Sequence, residues 1–176
     1  MPDGSPLIDL AGADYVAIDG LDVNGNSLTI ANTNTSAVAG TSTIRFGGDA
    51  TGNIVTHVTV LGSSSMSTTT PGGTIYFATG IASGNDDNTI SNCRIGPAGA
   101  NLPARAIVSL GGTTSTTLYN SGIEVSGNQI YDYWSAGAQS DGIYLGDGTT
   151  DWTISGNRFF QTASRTIPRP DGQGDW

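Results

Sequence analysis

The sequence predicts an all-β solenoid of about five stacked coils. Three observations carry this reading. A skeleton of apolar or amide residues at spacings of three and then two occurs five times: Ile18, Leu21 and Val23; Val55, Val58 and Val60; Ile90, Cys93 and Ile95; Val125, Asn128 and Ile130; Ile154, Asn157 and Phe159. A shorter apolar pair precedes each copy, as in Ile8 and Leu10, Ile44 and Phe46, Ile75 and Phe77, and Ile143 and Leu145. No stretch carries helical periodicity, and the β-branched content favours strands. The corner units recur every roughly 30 to 37 residues, within the range of solenoid repeats.

The five-residue step between apolar positions dictates the shape of each unit. In a straight strand, residues five apart face opposite sides. Both reach one core only if the chain bends between them. Gly20, Asn92, Gly127 and Gly156 stand at the bend, and Gly and Asn tolerate the backbone angles it needs. Each unit therefore reads as two short strands joined at a corner rather than as a hairpin.

Taken in order, the first coil spans 7–23 and a polar loop follows over 24–43. The second coil occupies 44–60, and a Ser/Thr loop over 61–74 ends in Pro71-Gly72-Gly73. The third coil covers 75–95 and holds the turn Asn85-Asp86-Asp87-Asn88. A loop over 96–105 leads to the fourth coil, which ends near Ile130. Its short strand fits two registers, Ile107 with Ser109 or Val108 with Leu110. The aromatic loop Tyr131-Asp132-Tyr133-Trp134 precedes the fifth coil at 143–160. Residues 1–167 read as a single domain, and 168–176 as an irregular tail holding no repeat.

Stacking aligns equivalent residues in rows. The outward row of the short strands is Asp9, Arg45, Tyr76, Val108 and Tyr144. The outward rows of the corner unit are Asp19, Thr56, Ser91, Ser126 and Ser155, then Asp22, Thr59, Arg94, Gln129 and Arg158. The inward corner row, Leu21, Val58, Cys93, Asn128 and Asn157, changes from apolar to amide. Stacked Asn side chains satisfy one another's hydrogen bonds along such a row.

Composition narrows the function. Only 36% of the 176 residues are hydrophobic, so a narrow, regularly patterned core is required for folding. The net charge of −9, with six Arg and no Lys, argues against nucleic-acid binding. No segment is apolar over the length of a membrane span, and no secretory leader is visible, so the chain reads as a piece of a longer protein or one whose leader has been removed. Cys93 stands alone at an inward position, which speaks against a disulfide framework or a zinc cluster and for a small buried residue.

The corner units T-I-S-G-N-R-F, E-V-S-G-N-Q-I and T-I-S-N-C-R-I resemble the repeats of right-handed parallel β-helices. These occur in the pectate-lyase-like superfamily and in secreted bacterial surface proteins, and the likeness extends to about Thr162. The resemblance implies a right-handed parallel β-helix, an extracellular or cell-surface setting, and, in family enzymes, lyase or glycosidase chemistry on polysaccharides. Lyases of this kind use clustered acids for Ca²⁺ with an Arg or Lys base, and hydrolases use paired or triple Asp residues.

Weighed residue by residue, the chemistry is sparse. Asp86, Asp87, Asp147 and Asp151 are the candidate Ca²⁺ ligands, and the plainer reading makes them turn caps. Arg94 and Arg158, with Gln129 between them, form a polar ladder suited to a sugar carboxylate, for which Arg has the fork geometry. Arg45, Tyr76 and Tyr144 form a second row, and Trp134 stands on a loop able to rim a groove. His57 has no partner in a triad pattern. The Thr68–Thr70 and Thr113–Thr117 stretches lack the even spacing of a flat Thr ladder. No residue is assigned to catalysis. The expected function is a non-enzymatic structural or carbohydrate-contacting β-helix segment of a secreted or cell-surface protein. Its partner is a polysaccharide or cell-surface glycan, and it self-associates end to end through uncapped strand edges. The alternative is a polysaccharide lyase or glycoside hydrolase acting on an acidic polysaccharide.

Overall fold

The computed structural model describes residues 4–21, 27–64, 72–136 and 139–165. Asp22, Val23, Thr68–Thr70 and the 168–176 tail named above lie outside them.

Among the described residues the chain forms three five-stranded parallel sheets that run the length of a β-solenoid. The first stacks Pro6–Ala11 (β1), Ser42–Gly47 (β4), Gly73–Phe77 (β7), Arg105–Ser109 (β10) and Asp141–Leu145 (β14). The second stacks Ala17–Asp19 (β2), Ile54–Thr56 (β5), Thr89–Ser91 (β8), Glu124–Ser126 (β12) and Thr153–Ser155 (β16). The third stacks Thr29–Ala31 (β3), Thr59–Gly62 (β6), Arg94–Pro97 (β9), Gln129–Tyr131 (β13) and Arg158–Phe160 (β17). A two-stranded patch, Asn120–Ser121 (β11) with Thr149–Thr150 (β15), fills one edge. The described helix is one 3₁₀ turn at Thr116–Leu118, and among the described residues no helix is long and apolar enough to cross a membrane.

The corners form as the five-residue step requires. His57, Asn92, Gly127 and Gly156 stand at successive bends between the second and third sheets, with φ of 55°, 53°, 66° and 63°. That left-handed region is easy for Gly and open to Asn, which is why these residue types punctuate the repeat. A second such row, Tyr15, Gly52, Asp87, Gly122 and Asp151, turns the chain into the second sheet.

The core is a set of columns. Ile8, Ile44, Ile75, Ile107 and Ile143 pair in register, so Ile107 with Ser109 is the inward pair of the fourth coil. Val55, Ile90 and Val125 form a second column, and Val60, Ile95 and Ile130 a third, all fully buried. Each such side chain contributes about 1.5–3 kcal/mol of burial. Phe46 and Phe77 stack at 4.4 Å and 8°, and Trp152 meets Phe77 edge-on at 5.1 Å.

The first coil departs from the predicted register. Leu21 is 56% exposed rather than inward. Ile30 pairs with Val60, and Leu28 accepts the Thr59 N–H through its carbonyl, as Val58 does for Arg94. Leu28 and Ile30 thus hold the places expected for Leu21 and Val23. An insertion after Leu21 carries the second half of the unit further along the chain, and the outward row of the third sheet opens with Thr29 instead of Asp22.

Amide ladders run along three corners rather than one. Asn128 Oδ1 accepts the Cys93 N–H at 2.8 Å, and Asn128 Nδ2 donates to Ile90 O and to Asn157 Oδ1, both at 2.9 Å. Asn53 and Asn88 repeat this arrangement at the entry to the second sheet. Asn85 and Asn120 repeat it at the end of the first. Each buried amide therefore ties backbone groups of neighbouring coils, where an unpaired group would be costly.

Candidate functional site

The outward face of the third sheet brings cations and aromatic rings together. Register sets Arg94, Gln129 and Arg158 side by side, and beside them the row that ends in Gly96, Tyr131 and Phe160. Arg94 and Arg158 are two rungs apart, about 9.5 Å at the backbone given ordinary strand spacing. Both are exposed, while Tyr131 and Phe160 are half-buried. The rings stack at 5.5 Å and 15°. The Arg94 guanidinium lies 5.7 Å from the Tyr131 ring and that of Arg158 lies 4.7 Å from Phe160, both within cation–π range.

Gly96 makes this packing possible. A Cβ there would lie 2.4 Å from Cζ of Tyr131, so the ring occupies the space a side chain would fill. The ring leans back one rung and reaches the strand of Arg94. The described outward positions of this sheet, Thr29, Thr59, Arg94, Gln129 and Arg158 with Ala31, Leu61, Gly96, Tyr131 and Phe160, include no carboxylate. In a chain of net charge −9, that leaves a local cationic strip able to accept an anion.

The first sheet's outward row is arranged differently. Arg45 is held by Asp9 in a two-pronged pair, Nε to Oδ1 at 3.0 Å and Nη2 to Oδ2 at 2.5 Å. The pair raises the Arg45 pKa, the hydrogen bonds to Asp9 outweighing partial burial. Tyr76 is buried, which pushes its hydroxyl pKa up and leaves no free ring face for a sugar. Tyr144 is half-buried beneath the Arg105 guanidinium, 4.2 Å from its ring centroid. Trp134 is half-buried with its backbone N–H on Pro103 O, and its indole N–H is buried without a hydrogen-bond partner. The structure therefore does not assemble Arg45, Tyr76, Tyr144 and Trp134 into one open surface. Arg105, which the sequence reading did not single out, is fully buried and sits 3.0 Å from Asp141 as an ion pair, although the geometry is too bent for a hydrogen bond.

The predicted Ca²⁺ ligands serve the turns. Asp86 Oδ1 accepts the Ser121 N–H and hydroxyl at 2.9 and 3.0 Å. Asp87 and Asp151 occupy the left-handed turn row, and Asp147 receives the Gly111 N–H through its backbone carbonyl. Among the described residues no three His, Cys, Asp or Glu side chains gather into a group able to hold a metal ion.

His57 makes both of its polar contacts through one ring nitrogen, Nδ1 to Thr56 Oγ1 at 3.1 Å and to Asp19 Oδ1 at 3.3 Å. A triad needs one partner on each nitrogen, so this chain of contacts is not a nucleophile relay. It borders a shallow depression of about 290 Å³ that reaches Arg94. Cys93 is buried, and burial pushes its thiol pKa up to about 11, opposed in part by the backbone of Val58 and Ser91. Such a thiol is inert at neutral pH.

No protein-family model, curated protein or solved structure matches this chain.

Proposed function

We propose that this chain is a non-enzymatic β-helix segment of a secreted or cell-surface protein, and that its third sheet contacts an acidic polysaccharide. One observation carries the reading: the strip of Arg94, Tyr131, Arg158 and Phe160 on an outward face free of carboxylates among the described positions. Guanidinium groups take the carboxylates of a uronic-acid chain by paired N–H donation, and the rings offer apolar contact to the sugar between them. The row runs along the solenoid axis, so an extended glycan meets Arg94 and Arg158 on alternate rungs with Gln129 between them. Kinship with the pectate-lyase-like superfamily belongs to this proposal and rests on the corner-unit resemblance alone. The lyase or hydrolase alternative has less support, because glycoside hydrolysis needs two carboxylates facing one bond and this strip offers none.

Calorimetric titration with a polyuronic acid and with a neutral glycan of similar length tests the proposal. The acidic polymer is expected to bind, more weakly as salt rises, and R94A with R158A is expected to abolish the heat. Equal binding of both polymers, or unchanged binding by the double variant, would refute it. Release of shortened or unsaturated products would favour the enzymatic alternative.

A further inference from the structure

The outward row of the third sheet carries an order of chemistries as well as charge. Along the solenoid axis it runs Thr29, Thr59, Arg94, Gln129 and Arg158, each paired in register with the next. Two cations therefore stand two rungs apart with one neutral amide between them. Arg45, Arg105 and Arg165 are each held by an Asp. Arg94 and Arg158 form no such pair among the described residues. Each rests against a ring instead, and the two rings stack on one another. Gln129 is exposed, and its amide makes no hydrogen bond among the described residues. The strip thus presents three neighbouring polar groups in the order cation, amide, cation.

We infer that the strip reads a polysaccharide that turns a carboxylate toward it on every second sugar, and that Gln129 sets this spacing by taking the neutral sugar edge between. The inference rests on the acidic-glycan reading above and names the pattern of charge that reading requires. Neighbouring strands lie about 4.8 Å apart, and an extended β-linked glycan advances by close to one such step per sugar. Three successive sugars therefore lie over Arg94, Gln129 and Arg158. Each guanidinium matches one carboxylate through two parallel N–H···O bonds. The amide of Gln129 offers two N–H donors and a carbonyl acceptor. A hydroxyl or acetamido group uses both kinds. A carboxylate only accepts, so over Gln129 it leaves the amide oxygen unused and facing like charge. Two kinds of chain show the required order of charged, neutral, charged. One alternates a uronate with a neutral N-acetylhexosamine. The other is a flat uronate homopolymer with twofold symmetry, whose successive carboxylates fall on opposite edges. A homopolymer wound helically about its axis does not hold that order along one side.

Calorimetric titration at equal carboxylate concentration tests this with hyaluronate, β-linked polymannuronate and α-linked polygalacturonate. These stand for the alternating, the flat and the wound chain. Hyaluronate is expected to bind about fivefold tighter than polygalacturonate, or more. Polymannuronate matching hyaluronate supports the inference and assigns the order to the twofold symmetry of the chain. Polymannuronate matching polygalacturonate supports it too, and assigns the order to the alternation of sugars. Gln129→Arg adds a third fork and should raise affinity for polygalacturonate about tenfold while leaving hyaluronate within about twofold. Gln129→Leu keeps the bulk and the net charge but loses the amide, and should weaken hyaluronate about threefold. Circular dichroism checks that both stay folded, and Gln129→Leu decides alone if three adjacent Arg side chains disturb the sheet. Equal affinity of the wild type for hyaluronate and polygalacturonate would overturn the inference. So would a ratio of the two affinities that folded Gln129 variants leave unchanged. Equal binding of all three acidic polymers, abolished by R94A with R158A, would sink this inference and leave the acidic-glycan reading standing. Binding of none would overturn both.

Discussion

Replacing Asn128 by Ala removes one link from the amide ladder and separates buried polar satisfaction from packing. Asn128 is 1% exposed. Its Oδ1 is the acceptor for the Cys93 N–H, and its Nδ2 is a donor to Ile90 O. Truncation leaves both backbone groups buried without those partners. Each orphaned group costs about 1–3 kcal/mol, so a loss of about 2–6 kcal/mol is expected. Asn157 Oδ1 keeps the backbone N–H of Asn128 and loses only the side-chain donor, so it adds little. Gln129→Ala, at the exposed neighbouring position, is the control and should lie within about 0.5 kcal/mol of wild type. Urea unfolding followed by circular dichroism gives both values, with a shifted midpoint and an unchanged slope. If Asn128→Ala costs no more than Gln129→Ala, the ladder does not hold the coils together and the argument fails.

Two further outcomes follow from the same geometry. Gly96→Val should displace the Tyr131 ring and weaken polyuronate binding severalfold while the far-UV spectrum is retained, measurable by titration against wild type; unchanged affinity would remove Tyr131 from the site. Asp132 is buried and holds Thr162 and Arg165 against the body of the solenoid. Burial alone would raise its pKa, but the bonds from Thr162 and Arg165 outweigh burial and lower it. A lowered carboxylate pKa contributes stability above the ordinary carboxylate range, and this is lost as pH falls through the folded-state value. Protection of the Thr162 amide, its exchange rate taken against that of an unstructured amide at the same pH, should fall in acid, and in Asp132→Ala it should be low already at neutral pH, with no further acid-dependent loss.

The architecture was legible because a solenoid repeats its constraints. Gly127 and Gly156 mark bends since the left-handed angle recurs at successive rungs, and the four copies of one spacing from Val55 onward separate signal from coincidence. The first coil misled because Leu21 and Val23 satisfy the spacing by chance, and only pairing with the neighbouring strand shows that Leu28 and Ile30 take their places. Two of the amide ladders are not legible in the sequence, although Asn85 and Asn88 stand three apart, because the partner positions, Asn120 and Asn53, fall in coils whose turns differ in length. The two Arg residues of the candidate strip were visible in the row pattern. Their aromatic partners were less so: Tyr131 read as loop, and the place of its ring depends on the missing side chain at Gly96, which is seen only once the strands are laid side by side.

The order of strands in the sheets also decides how the molecule yields to force. The first described strand lies at one end of the stack and the last at the other. Tension applied through residues 4 and 165 therefore pulls along the axis and loads the outermost rung first, because each coil bonds only to its neighbours. Rungs would peel away singly instead of shearing together. Equivalent residues such as Ile8, Ile44, Ile75, Ile107 and Ile143 are 31 to 36 residues apart. Each released coil would thus lengthen the chain by roughly 100–130 Å at about 3.3–3.6 Å per extended residue. A solenoid of this design would behave as an extensible tether with steps of similar size.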